Sequence, residues 1–121
     1  MTTILHITHQ QEWQAALESG AYRTSTLDKD GFIHCSTDTQ ALRVANNFYR
    51  GQIDLVLLVI DTDKLAAPLK FEPPINPQTG QPEVENNDLF PHVYGPINLE
   101  AVAKVVAFPP NADGLFALPQ I

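Results

Sequence analysis

Three histidines of this chain stand where a β-run meets a turn or a helix start. They are His6 in Leu5-His6-Ile7-Thr8, His34 in Gly31-Phe32-Ile33-His34-Cys35-Ser36-Thr37, and His92 in Phe90-Pro91-His92-Val93-Tyr94-Gly95. A neutral imidazole both donates and accepts, and strand ends that feed helices place it beside free backbone N–H groups, the usual setting for anionic ligands and nucleotide phosphates. Side chains alternate along a strand, so His6 shares a face with Thr8 and His34 with Ser36. Both pairs are candidate ligand contacts, and the plain reading of each is a hydrogen bond to nearby backbone. Cys35 points to the opposite face and reads as a small buried hydrophobe. His92 and Tyr94 lie between Pro91 and Gly95-Pro96, residues that fix backbone shape and can present both side chains at a cleft edge. Glu72 closes an apolar run before Pro73-Pro74; it is either an exposed loop acid or the carboxylate placed to act as a general base or to hold a ribose hydroxyl. Asp61, Asp63, Glu83, Glu85 and Asp88 read as solvated.

The elements that must position these residues follow from periodicity. Ile4 to Thr8 reads as a strand, and Thr8 with Gln11 matches a capping box that opens a helix ending near Gly20, with Trp13, Ala16 and Leu17 on its apolar face. Phe32 to Cys35 reads as a second short strand. Thr37 and Gln40 make a second capping box, followed by an apolar face of Ala41, Leu42, Ala45, Phe48 and Tyr49 that ends before Gly51. Asp54 to Asp61 has the unbroken aliphatic character of a central strand buried on both faces. Leu69 to Glu72, Phe90 to Tyr94 and Val102 to Phe108 supply shorter strands, with a helical turn at Asn98 to Ala101. Leu115, Phe116 and Leu118 are expected to fold back onto the core. The segment from about 73 to 89 is rich in Pro, Gly, Asn, Gln and Glu, and is expected to be a mobile surface loop. Strands and helices mixed without strict alternation predict an α+β domain with a mixed, split β-sheet and two or three short helices.

With 121 residues, 44% of them hydrophobic, the chain suits a single domain over residues 1–121. Its longest aliphatic run, Leu55 to Ile60, is far short of the roughly 20 residues of a membrane-spanning helix. With no secretory signal in view and a single cysteine, the expected location is cytoplasmic. A formal charge of −7, with Arg23, Lys29, Arg43, Arg50, Lys64, Lys70 and Lys104 forming no run, disfavours a nucleic-acid partner. A small anionic metabolite or nucleotide remains open, since one placed cation and a few backbone amides suffice for it. No histidine or cysteine pair has zinc-motif spacing, and there is neither a Gly-x-Ser-x-Gly elbow nor a glycine-rich phosphate loop.

The three histidine motifs, with Trp13 and Gly20 after the first, Ala45-Asn46 after the second and Pro96-Ile97 after the third, resemble a bacterial family known as domain of unknown function 952. The likeness runs from about residue 4 to about residue 108, and Ile75 to Asp88 is longer than the family pattern. The His-x-Thr and His-x-Ser motifs are in turn similar to those of ADP-ribosyltransferase-like folds, which hold NAD in the cleft of a split sheet. That resemblance implies an ADP-ribosyltransferase-like domain that binds NAD or another ADP-ribosyl compound as substrate, with no further cofactor required; the histidine and cysteine spacing adds the expectation of no metal. It implies binding by His6, Thr8, Ser36 and His92, with His6 and Thr8 at the adenosine side. It also implies that His34 and Ser36 meet the nicotinamide ribose, and that His34, Glu72 and Tyr94 serve the chemistry. The competing expectation is a non-catalytic ligand-binding or interaction domain whose histidines only pin loops; a metal-dependent hydrolase trails both.

Overall fold

The computed structural model describes residues 2–76, 78–83, 88–119 and 121. Two strands form the centre of the molecule: β1 (Thr3–His9) runs antiparallel to β4 (Leu55–Asp61), with His6 opposite Leu58 and Thr8 opposite Val56. Every position of β4 is buried, as its unbroken Leu/Val/Ile run requires, and on its other side it pairs with β8 (Val102–Ala107). The two faces of this sheet are covered differently. Ile4, Val56, Leu58 and Ile60 pack with Trp13 and Ala16 of α1 (Gln10–Ser19), whereas Leu5 and Val59 meet Ala41, and Ile7, Leu55 and Leu57 meet Ala45, both on α3 (Asp38–Phe48). His6 and Thr8 therefore face the α1 side.

A second three-stranded sheet has β6 (Phe90–Val93) at its centre, flanked by β3 (Ile33–His34) and β5 (Leu69–Glu72). His34 pairs with His92, which in turn pairs with Lys70, so the three side chains form a row across one face. After β3 the chain leaves this sheet: Cys35 N–H donates to the Pro91 carbonyl, and Leu5 and Ser36 then exchange backbone hydrogen bonds of 2.7 Å. That single bridge ties the two sheets together beside His6. A two-stranded ribbon of β2 (Ala21–Tyr22) and β7 (Ile97–Asn98), with α2 (Ser25–Asp30), completes the packing around Trp13.

The α+β class and three short helices agree with the sequence, but every strand pairing among the described residues is antiparallel, where a mixed sheet was expected. Two strand-to-helix corners suggest parallel neighbours. Here β1 and β3 instead find antiparallel partners later in the chain, and meet each other only at the bridge. Gly20 ends α1 with φ 97°, a left-handed conformation that favours glycine, and the Thr37/Gln40 capping box opens α3 as expected. The Thr8/Gln11 box does not form. Pairing of β1 continues to His9, so α1 starts at Gln10 with His9 as its cap, and the Thr8 side chain is directed into the sheet face. Phe48 is 63% exposed instead of buried, and Leu118 is exposed too, while Phe116 is buried on Phe108 at 4.8 Å between ring centroids.

Asp61 is buried, not solvated, because its carboxylate accepts from the Asp63 N–H and caps the following 3-10 turn. Asp88 accepts from Gln40 and from Arg43, which clamps the start of α3 to the segment before β6. Of the expected loop at 73–89, residues 77 and 84–87, Glu85 among them, lie outside the described residues. The rest forms a small hairpin in which Ile75 bridges Pro82 and Glu83 N–H donates to the Pro74 carbonyl. Among the described residues no helix is long and apolar enough to cross a membrane.

Candidate functional site

His6 reaches its surroundings through both ring nitrogens. Nδ1 lies 2.6 Å from the His34 carbonyl, which can only accept, so Nδ1 carries the proton. Nε2 lies 2.7 Å from the Tyr22 hydroxyl, which is also 2.8 Å from Thr8 Oγ1. Burial drives the imidazole down to about 4, far below its ordinary 6.5, so at neutral pH Nε2 is an acceptor. The same burial raises the Tyr22 phenol. The Tyr22 hydroxyl is thus shared between His6 Nε2 and Thr8 Oγ1, and the three side chains form one buried hydrogen-bonded group. Tyr22 is the residue that sequence reasoning missed. The available signal was a tyrosine just after the helix-ending Gly20, since a buried tyrosine needs a partner for its hydroxyl and His6 and Thr8 needed one for theirs.

His34 is half exposed, and its Nε2 donates to the Asp30 carboxylate at 2.9 Å, one turn back across the end of α2. His92 is 1% exposed and lies with its ring stacked on Phe32, at 4.0 Å between centroids and 21° between planes. Its Nδ1 donates to Glu72 Oε1 at 3.0 Å, and the Tyr94 hydroxyl donates to the same oxygen. These contacts come from strand period and register: His92 and Tyr94 are two apart on one face, and Glu72 reaches them from β5, whose Glu72 pairs with Phe90. The Tyr94 hydroxyl beside Glu72 holds its carboxyl below the usual range, and the Tyr94 phenol is pushed up to about 12 by the same bond. Burial lowers the His92 imidazole, against the pull of Glu72. His92 Nε2 is buried and has no hydrogen-bond partner among the described residues.

His6, His34 and His92 line one cleft of about 640 Å³. Thr8, Tyr22, Cys35 and Ser36 contribute to the same wall, Pro74, Ile75, Asn76 and Gly80 of the hairpin line it as well, and Lys29, Asp30, Glu12 and Glu83 supply the charges. Burial raises the Cys35 thiol, which suits a packed side chain and not a nucleophile. The three histidines thus converge, and so do Thr8 and Ser36. Glu72 and Tyr94 are brought to His92 but not to the cleft wall; they stand behind the imidazole.

Fold and site together define a small α+β domain of antiparallel sheets with a histidine-lined cleft where its two larger sheets meet. The chain belongs to the family described as "Protein of unknown function (DUF952)", whose profile matches residues 7–105. The crystal structure of protein CC0527 from Caulobacter crescentus is similar, at 33% sequence identity and a TM-score of 0.80, covering 97% of this chain and 95% of that one. The solution NMR structure of CC0527 matches at 34% identity and a TM-score of 0.74, over 95% and 91% of the two chains. No curated protein matches the sequence.

Proposed function

We propose that the cleft binds NAD or a related ADP-ribosyl nucleotide, with the ribose and nicotinamide end against His34, Ser36 and His92 and the diphosphate toward Lys29. The observation that carries this reading is the convergence of three histidines from distant segments on one cleft of about 640 Å³, a volume suited to a nucleotide. The motif resemblance to ADP-ribosyltransferase-like folds supports the choice of nucleotide, and transfer of ADP-ribose is the enzymatic form of the reading. His6 and Thr8, expected at the adenosine side, act here through Tyr22: both His6 nitrogens are already paired within the protein. They shape the wall and leave the ligand contacts to their neighbours.

Calorimetric titration with NAD, ADP-ribose and nicotinamide tests this. Wild-type protein binds NAD or ADP-ribose, and His34→Ala, at a half-exposed position, weakens binding by about tenfold, the worth of one hydrogen bond of about 1 to 2 kcal/mol. Absence of any heat at millimolar ligand refutes it. A binding domain with no reaction of its own is favoured by one observation, the position of Glu72 and Tyr94 behind His92 instead of in the cleft wall. Release of nicotinamide on long incubation with NAD separates the two forms.

A further inference from the structure

His92 holds the one buried side-chain nitrogen or oxygen among the described residues that has no partner. Its environment dictates what that atom is. The Glu72 carboxylate can only accept, so the proton of a neutral His92 resides on Nδ1 and Nε2 presents a lone pair. Three features hold that arrangement. Glu72 is itself anchored by the Tyr94 hydroxyl, Phe32 covers one ring face, and the register places His92 between His34 and Lys70 on neighbouring strands. A buried acceptor without a donor is costly, and a ligand that brings one removes the cost.

We infer that His92 Nε2 is the cleft's recognition atom for an uncharged donor of the ligand, a hydroxyl or a carboxamide N–H, with Glu72 as the positioning residue that fixes the imidazole tautomer. The inference rests on the cleft being the ligand site and deepens that reading by assigning which end of the ligand lies deepest. A fully ionised phosphate oxygen brings no hydrogen and would face a lone pair, with the Glu72 carboxylate immediately behind the ring. The acids Glu12, Asp30 and Glu83 among the cleft residues oppose it further, against the single cation Lys29. The ribose and carboxamide therefore go to His92. Glu72 never touches the ligand; it acts by holding a proton on Nδ1.

Histidine-selective ¹⁵N NMR on the intact chain at pH 7 reads the tautomer directly. The wild type shows His92 neutral with its proton on Nδ1. Glu72→Ala moves part of that proton to Nε2, and Glu72→Gln, whose amide oxygen still accepts, retains the wild-type form. NAD, ADP-ribose, ribose and nicotinamide are then titrated in, and the bound probe shifts the Nε2 resonance in the direction of an accepted hydrogen bond. His92→Phe keeps the stacked shape on Phe32 and lowers affinity by about tenfold. A His92 that is charged, or protonated on Nε2, overturns the inference before any ligand is added, and so does a probe that binds while the Nε2 resonance stays in place. If ribose or nicotinamide moves the resonance and NAD does not bind, the donor assignment holds and the NAD reading falls. If no probe binds, both fall.

Discussion

His6 makes the stability of this domain depend on pH in a window that can be worked out from its surroundings. Its imidazole titrates at about 4 in the folded protein because burial disfavours the charged form, and at its ordinary 6.5 once unfolded. Between those values the unfolded chain takes up a proton that the native state refuses, so falling pH favours unfolding. The contribution is complete above about pH 6.5, declines as pH falls, and levels off below about 4. At about 1.4 kcal/mol per pH unit, the whole window amounts to about 3 kcal/mol, most of it spent by pH 4.5. Burial also lowers His92, which adds with the same sign. Glu72, whose carboxyl is depressed by Tyr94, acts below the ordinary carboxylate range, since its stabilisation is lost only as pH falls through its folded value. Urea unfolding of the wild type and His6→Gln at pH 7.5, 6.5, 5.5 and 4.5 isolates His6, because the other groups are common to both proteins. The advantage of the wild type over the variant should shrink by about 2 to 3 kcal/mol from the highest to the lowest pH. A difference that stays constant with pH would refute the reasoning, since it would mean that His6 charges as easily inside the protein as outside.

Tyr22→Phe removes the hydroxyl shared by His6 and Thr8 and leaves two buried polar atoms unpaired, so it should cost about 2 kcal/mol and lower the thermal midpoint by several degrees; an unchanged melt would show the hydroxyl to be dispensable. Cys35, buried with its thiol held protonated, should resist an aromatic disulfide reagent at pH 8 in the native protein and react fully in urea, and labelling as fast as that of a free thiol would contradict its placement in the core.

Much of the frame was legible in order along the chain. The aliphatic run at Leu55 to Ile60 announced a strand buried on both faces, and β4 is the centre of its sheet, where a run with no polar side chain from Leu55 to Ile60 can be covered on two sides without burying one. Alternation placed His6 with Thr8, and Thr37 with Gln40 announced the start of α3, since these relations need only neighbours in sequence. The family likeness was legible in the same motifs, and its profile spans residues 7–105.

What tertiary structure decided were the partners. Thr8 has the spacing of a helix cap, yet strand pairing out to His9 turns it toward Tyr22, a competition between two hydrogen-bonding fates that local sequence cannot settle. Asp61 looks like a solvated acid until the following turn folds its backbone onto it. Glu72 and His92 are 20 residues apart, and only the register of β5 against β6 puts the carboxylate on Nδ1, behind the ring and away from the cleft. The sequence by itself determined which residues carry polar chemistry and which strand face each one occupies, because side-chain type and period are local. Which nitrogens of the three histidines are engaged, and that His92 Nε2 is buried without a partner among the described residues, depended on groups distant in sequence that meet only when strands pair and elements pack.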